Sequence, residues 1–253
     1  MNSARPLEGK VAIVTGASRG IGQAIATAYV AAGASVAAVA RSEDALAETC
    51  RLADPSGERV LAVVADVTDP AAGGRILAAT LERFGRVDVL VNNAGMHYPT
   101  PLLETTAEDW TAILDVNLFS VVNLTRTVGR ALVEQGSGTV INVTSSWATR
   151  VIPQHSAYVT SKAALAQFTR VMAKEWARHG VRVNALAPGY FATDITKEGM
   201  EDPEMRQAIL RGIPQRRVAE PVELAPLAVF LAGPDADYVT GSSFTIDGGM
   251  ELA

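Results

Sequence analysis

Short apolar runs alternate with amphipathic segments along the whole chain, and this alternation limits the possible folds more than any other feature. "KVAIVTG", "SVAAVA", "RVLAVVADV", "VDVLVNNAG", "GTVINVTSS", "VRVNALAPG" and "SSFTIDGG" read as seven strands. Between them stand helical segments: "GQAIATAYVAAG", "SEDALAETCRLA", "PAAGGRILAATLERFG", a long region over 107–134, "SAYVTSKAALAQFTRVMAKEWARHG" and "PVELAPLAVFLAG". Ser42 suits an N-cap, Pro70 a helix start, and Gly33 and Gly180 helix stops. The strand runs are continuous rather than alternating, the pattern of strands buried on both faces. Together these features predict one doubly wound α/β domain over 1–253, a seven-stranded parallel sheet with helices on both faces. One stretch, 190–217, has no clear periodicity. Long irregular insertions in compact domains commonly serve as lids, and a substrate lid is expected here.

Composition narrows the partners. Of the 253 residues, 48% are hydrophobic, enough for a large core and too many for a disordered chain. The net charge is −5 and no basic run occurs, so nucleic acid is not an expected partner. The single cysteine, Cys50, cannot form an internal disulfide, which fits a reducing, cytoplasmic setting. "MNSARPLEGK" lacks the apolar core of a secretory leader. Residues 20–40 carry no charge over more than the ~18 residues that suggest a membrane span. That stretch is alanine-rich and broken at Gly33, so it reads as a buried helix, a stop and a buried strand, and no membrane partner is expected.

Several local patterns carry chemistry. "TGASRGIG" follows the first strand and opens the first helix, bringing Gly16, Ser18, Arg19, Gly20, Ile21 and Gly22 to a turn that in a Rossmann-type sheet meets a pyrophosphate. Its spacing is G-x-x-x-G-x-G, not G-x-G-x-x-G, so a purely structural glycine turn is the alternative. "VNNAG" ends the fourth strand, and Asn93, Ala94 and Gly95 there suit a backbone bend beside a cofactor. Asp66, followed by Val67, ends the third strand; it could accept from an adenine amine or serve only as a helix-start carboxylate. Tyr158 and Lys162 are four residues apart, hence on one helix face. His97 and His155 follow strand ends and could touch substrate or only pack. Trp147 and Arg150 are open in the same way, while His179 suits a helix C-terminus. No cluster with metal-ligand spacing occurs, so no metal is expected.

"TGASRGIG", "NNAG", Asn117, Ser145, "YVTSK" and Pro188–Gly189, in this order and spacing, resemble the short-chain dehydrogenase/reductase family, most closely the bacterial 3-oxoacyl reductases and the polyol and gluconate dehydrogenases. The resemblance covers essentially the whole chain, and Ser145 stands thirteen positions before Tyr158, as in the family. It implies a catalytic group of Asn117, Ser145, Tyr158 and Lys162. It also implies that Lys162 bonds the nicotinamide ribose, that Asn117 holds a relay water, that Thr193 bonds the cofactor, and that the backbone at Tyr190–Phe191 meets the carboxamide. A homotetramer is implied as well.

The chemistry explains the tyrosine and the lysine. Hydride addition to a ketone creates an alkoxide that needs a proton as it forms. A phenol has one, but its usual pKa is about 10, far above working pH. Lys162 is expected to supply part of the lowering of that pKa and an oxidised nicotinamide another part, so that Tyr158 is the acid in reduction and the base in oxidation. Ser145 would polarise the carbonyl oxygen.

The second strand ends at Ala40 with no carboxylate to hold a ribose 2′-hydroxyl. Arg41 follows, and Arg19 can approach from the glycine turn. Unless both are ordinary surface charges, they favour NADP(H) over NAD(H) through the 2′-phosphate. The expected activity is NADP(H)-dependent reduction of a ketone or oxidation of a secondary alcohol, with a small-molecule substrate. An NAD-dependent alcohol or polyol dehydrogenase is the alternative. A non-catalytic dinucleotide sensor would not need both Tyr158 and Lys162, and a nucleotide-sugar epimerase would need a further C-terminal region.

Overall fold

The computed structural model describes residues 5–252, the side chains of Ile195 and Glu198 excepted. Seven strands form one sheet: β1 Val11–Thr15, β2 Ser35–Ala40, β3 Val60–Val64, β4 Val89–Asn92, β5 Gly138–Val143, β6 Val181–Pro188 and β7 Ser243–Ile246. Their order is β3-β2-β1-β4-β5-β6-β7, and every pairing is parallel. The chain winds outward from β1 to β3, then returns to place β4 on the other side of β1. The loops leaving β1 and β4 therefore diverge and open a crevice at the carboxyl ends of the strands, where such sheets bind ligands.

The helices that cover the sheet are α1 Gly20–Ala31, α2 Glu43–Ala53, α3 Ala72–Phe84, α4 Ala107–Leu114, α5 Ser120–Gln135, α6 Ser156–Trp176, α7 Asp194–Glu201, α8 Pro203–Gly212 and α9 Ala225–Ala232. On one face Ala12, Val14, Val36 and Val91 pack with Ile25 and Tyr29 of α1 and Leu231 of α9. On the other, Ile13, Val39, Leu90 and Val140 pack with Ile76 of α3 and Val128 and Leu132 of α5. Alternate residues of one strand feed opposite cores, which is why the inner strands show no polar alternation. The outer strands depart from this rule. Val64 of β3 is 53% exposed and β7 exposes every second residue, because each has an open side. No helix among the described residues is long and apolar enough to cross a membrane.

Ser42 caps α2 by accepting from the Ala45 amide at 3.3 Å. Gly180 lies at φ +72° just before β6, where an added Cβ would come within 2.3 Å of the Gly136 carbonyl oxygen, so only glycine fits this turn.

The long helical region expected over 107–134 is present as α4 and α5, joined by a π-helical turn at Asp115–Phe119. Such turns insert a residue into the helical register and recur at functional sites; this one contains Asn117. The irregular stretch over 190–217 is largely helical. Gly199, Pro203 and Gly212 looked like breaks, but Asp202 accepts from the Glu204 and Met205 amides at 2.8 and 2.9 Å, and Pro203 occupies the first helical position of α8. An Asp-Pro pair at this point starts a helix.

Candidate active site

The glycine-rich turn between β1 and α1 is held from β4. Asn93 donates its side-chain amide to the Thr15 and Gly16 carbonyls at 2.9 and 3.2 Å, and the Asn93 and Ala94 amides donate to Thr15 Oγ1 at 3.0 and 3.1 Å. A Cβ on Gly16 would stand 2.8 Å from Asn93 Nδ2, and one on Gly22 would stand 2.2 Å from the Gly16 oxygen. The "NNAG" segment thus clamps the turn across the switch point. Thr15, the hub of this clamp, went unnoticed in sequence; its position as the last residue of a strand was the only signal.

Helix α1 begins at this turn without any side-chain cap, since Arg19 at the N-cap makes none. Its first amides are therefore left for an anion, and the missing side chains of Gly16, Gly20 and Gly22 leave room for backbone approach. These features fit a dinucleotide pyrophosphate. Ser18 and Ile21 sit in the same turn. Thr193 lies above it, with its Cγ2 3.1 Å from where a Cβ on Gly20 would be.

The chemical centre lies beside the turn. Ser145, buried just past the end of β5, accepts from the Trp147 amide at 3.1 Å and lies close enough to Tyr158 to favour its charged form. Tyr158 is in the first turn of α6, and Lys162 one turn further. The Lys162 ammonium is buried and donates to the Val143 carbonyl at 2.9 Å; it stands 5.9 Å from the centre of the Tyr158 ring. Burial pushes the Lys162 pKa down to about 8. Burial also raises the Tyr158 phenol above its ordinary value, and Ser145 opposes this only in part. In the protein without cofactor the net effect on the phenol is upward, because desolvation of the phenolate dominates.

Asn117 is fully buried. Its side chain accepts from the Met96 amide at 2.8 Å and donates to the Met96 carbonyl at 2.9 Å and to Ser161 Oγ at 3.1 Å. These bonds occupy both side-chain donors, so a relay water at Asn117 would have to donate to Oδ1 or meet the backbone. A Cβ on Gly95 would lie 3.4 Å from Asn117 Oδ1 and 3.5 Å from Lys162 Nζ. Gly95 thus borders both Asn117 and Lys162. Asn92, the other asparagine of "VNNAG", donates to Asn142 Oδ1 at 2.8 Å, and Asn142 to Thr169 Oγ1 at 2.9 Å, a buried polar chain tying β4 to β5 and α6.

The remaining residues divide. Pro188 is buried and Gly189 packs against Asp247, where a Cβ would approach to 2.6 Å. Tyr190 meets Trp147 edge to face at 6.2 Å, and Arg150 lies over the Trp147 ring. Asp66 accepts from the Thr68 amide and hydroxyl at 2.9 and 2.7 Å, holding its own turn ahead of Val67, and these bonds keep its carboxyl below the usual range. Arg41 lies 3.9 Å from Asp66. Arg19 is paired with Asp194 of α7 at 2.9 Å. His179 sits apart, accepting from Arg178 Nε at 3.0 Å. Among the described residues no group of three His, Cys, Asp or Glu side chains could hold a metal ion.

An uncapped glycine turn beside a serine, a tyrosine and a buried lysine is the arrangement of a nicotinamide-dependent oxidoreductase for alcohols and carbonyls. A family model described as enoyl-(acyl carrier protein) reductase matches residues 16–251. The chain belongs to the short-chain dehydrogenase/reductase family. It is 44% identical to galactitol 2-dehydrogenase (L-tagatose-forming) of Cereibacter sphaeroides, covering 97% of this chain and 96% of that one. It is 42% identical to the 3-oxoacyl-[acyl-carrier-protein] reductase of Synechocystis, over 97% and 98%. The gluconate 5-dehydrogenase of Burkholderia cenocepacia, solved in complex with NADP and tartrate, superposes with a TM-score of 0.93 at 33% identity, over 99% and 98%.

Proposed function

We propose that the protein is an NADP(H)-dependent carbonyl reductase or secondary-alcohol dehydrogenase, with Tyr158 as its general acid and base. The observation that carries this reading is the buried Lys162 ammonium 5.9 Å from the centre of the Tyr158 ring, with Ser145 close to the phenol. NADP(H), when bound, supplies or accepts the hydride. Ser145 orients the substrate oxygen and stabilises the charge that develops there. Tyr158 gives the proton to that oxygen in reduction and takes it in oxidation. Lys162 holds a positive charge next to the phenol and, as the family resemblance implies, reaches the ribose. Asn117 holds the loop at Met96 and, as the family resemblance implies, would hold a relay water.

The cofactor would lie along the uncapped α1 turn, with contacts from Gly16, Ser18, Arg19, Gly20, Ile21, Gly22, Asp66, Val67, Asn93, Ala94, Gly95, Pro188, Gly189 and Thr193. NADP(H) preference rests on Ala40 ending β2 and on Arg41 and Arg19. Arg41 is 80% exposed and its contact to Asp66 is long, so a 2′-phosphate can take it over. A second reading, NAD(H) preference, draws on the acidic partners both arginines already have, Asp66 and Asp194. The galactitol dehydrogenase and the acyl reductase among the relatives favour an alcohol or ketone substrate without choosing one.

The chain would act as one domain, with α7 and α8 as the substrate lid. A cytoplasmic homotetramer is in keeping with exposed apolar residues such as Phe119 on the π turn and Val171 on α6, at 50% and 42% exposure. The deciding experiment follows NADPH and NADH oxidation spectrophotometrically against a panel of ketones, with light scattering on the same sample. Turnover with no ketone, or undiminished turnover by Tyr158→Phe, overturns the reading.

A further inference from the structure

His97 and His155 come from different loops, one following β4 and the other preceding α6, yet their rings stack at 4.7 Å with an interplanar angle of 24°. His97 also meets the Tyr158 ring edge to face at 4.9 Å. The pair therefore borders the phenol that would exchange the proton. The two loops are tied together, since the Thr100 amide donates to the Gln154 carbonyl at 2.7 Å. Gln154 itself lies at φ +68°, a left-handed conformation unusual for a residue with a side chain. Such backbone strain, held by its surroundings, aims the next residue, His155.

The chemistry the pair offers can be worked out. His155 Nδ1 is 2.7 Å from the Pro153 carbonyl oxygen, which can only accept. Nδ1 therefore carries the proton, and in the neutral ring Nε2 is an acceptor. Burial, with His155 close by, pushes the His97 pKa down to about 4, so His97 is neutral at pH 7. A neutral imidazole gives one donor and one acceptor and no charge. That complements a hydroxyl, which also both donates and accepts, better than it complements a carboxylate or an alkyl chain.

We propose that the His97–His155 stack is the substrate-selecting element of this site, and that it receives a hydroxyl on the carbon next to the reacting carbon. The favoured substrates are then hydroxy-ketones and polyols rather than simple ketones or acyl chains. This rests on the reading of Ser145 and Tyr158 as the reaction centre and adds the substrate class to it.

The test uses the full-length enzyme with NADPH, or with NADH if that is the better cofactor. Initial rates are compared for 1-hydroxybutan-2-one, 1-methoxybutan-2-one and butan-2-one. The methoxy ketone keeps the electron withdrawal of the hydroxyl but cannot donate a hydrogen bond. The wild type should favour the hydroxy over the methoxy ketone in kcat/KM by about tenfold to a hundredfold, as expected where a site's polar groups would otherwise be left unpaired. His97→Phe and His155→Phe should each bring that ratio to within about threefold of unity, whatever they do to the absolute rate on butan-2-one. A wild-type ratio near one, or variants that keep the wild-type ratio, overturns the proposal. Turnover of butan-2-one with no hydroxyl preference leaves the reductase reading standing and removes only this inference. No turnover of any of the three overturns both.

A second readout is independent of turnover. The chain has three histidines, so 15N imidazole spectra resolve each. Adding 1-hydroxybutan-2-one to the NADP+-loaded enzyme should shift the His97 and His155 signals and leave His179 unmoved. Unchanged His97 and His155 signals at saturating ketone overturn the proposal.

Discussion

Lys162 lies one helical turn beyond Tyr158, yet its ammonium is directed at the Val143 carbonyl, 2.9 Å away, and not at the phenol oxygen. Without cofactor the phenol is held up by burial. Lowering it then requires a second positive charge at the ring, which the oxidised nicotinamide brings. The phenol of Tyr158 should therefore titrate above 10 in the free protein and lower once NADP+ is bound. Ultraviolet difference titration of wild type against Tyr158→Phe measures both values. Equal values with and without NADP+ would refute this division of labour.

Removing the phenol itself should be far more costly than disturbing its neighbours. Tyr158→Phe is expected to lower kcat by about a thousandfold, the usual scale of general acid–base catalysis, with cofactor affinity nearly unchanged. Stopped-flow fluorescence for NADPH binding, beside steady-state rates, separates the two effects.

Lys162 makes a stability prediction with a definite sign. Its folded pKa of about 8 lies below the ordinary 10.5. Between these values the unfolded chain binds a proton there that the folded chain does not, so stability rises with pH across that window. Below about pH 8 the buried charge is a full penalty, of order 3 kcal/mol before relaxation and the loss of the Val143 bond are allowed for. Lys162→Met should therefore raise Tm at pH 7 while abolishing turnover. Thermal unfolding from pH 7 to 10 should show the wild-type–variant gap narrowing.

Gly22 tests the nucleotide cradle. Its Cβ would stand 2.2 Å from the Gly16 oxygen, a backbone atom that cannot swing aside. Gly22→Ala should push the turn away from the "NNAG" clamp, cost about 1–3 kcal/mol in stability and weaken NADPH binding at least tenfold. Isothermal titration calorimetry and chemical unfolding report the two losses.

Arg41 tests cofactor choice. Charge-assisted bonds to a phosphate are worth about 1.5–3 kcal/mol, so Arg41→Ala should lower kcat/KM for NADPH by about ten- to a hundredfold. The effect on NADH should stay within about twofold, since only a weak surface contact to Asp66 is lost. A wild type that prefers NADH at moderate salt would point to the second reading.

Asp202 tests the lid. Its carboxylate caps α8, and losing such a cap costs about 1 kcal/mol. Asp202→Ala should speed amide exchange over 203–212 and raise KM for the ketone, with Tm nearly unchanged. Equal exchange in wild type and variant would show that α8 is held by other contacts.

The sequence by itself determined the seven-stranded sheet and its parallel sense. Each inner strand must bury both faces, and that demand is written locally as a continuous apolar run. Tyr158 and Lys162 were legible for a similar reason, since a spacing of four is one helical turn. The glycine turn follows from its place between a strand and a helix, while Ser145 was legible only through the family resemblance. Only the tertiary structure decided the rest. The π turn at Asn117 depends on bonds to Met96 and Ser161, which no pattern inside "DVNLFS" reveals. Helices α7 and α8 lay hidden because Gly199 and Pro203 weaken a periodic signal while Asp202 restores the helix by a cap. The pairing of Arg19 with Asp194, the stacking of His97 on His155, and the turning of Lys162 toward Val143 join residues on separate elements. Such contacts are set by how the elements pack, and local propensity carries no record of them.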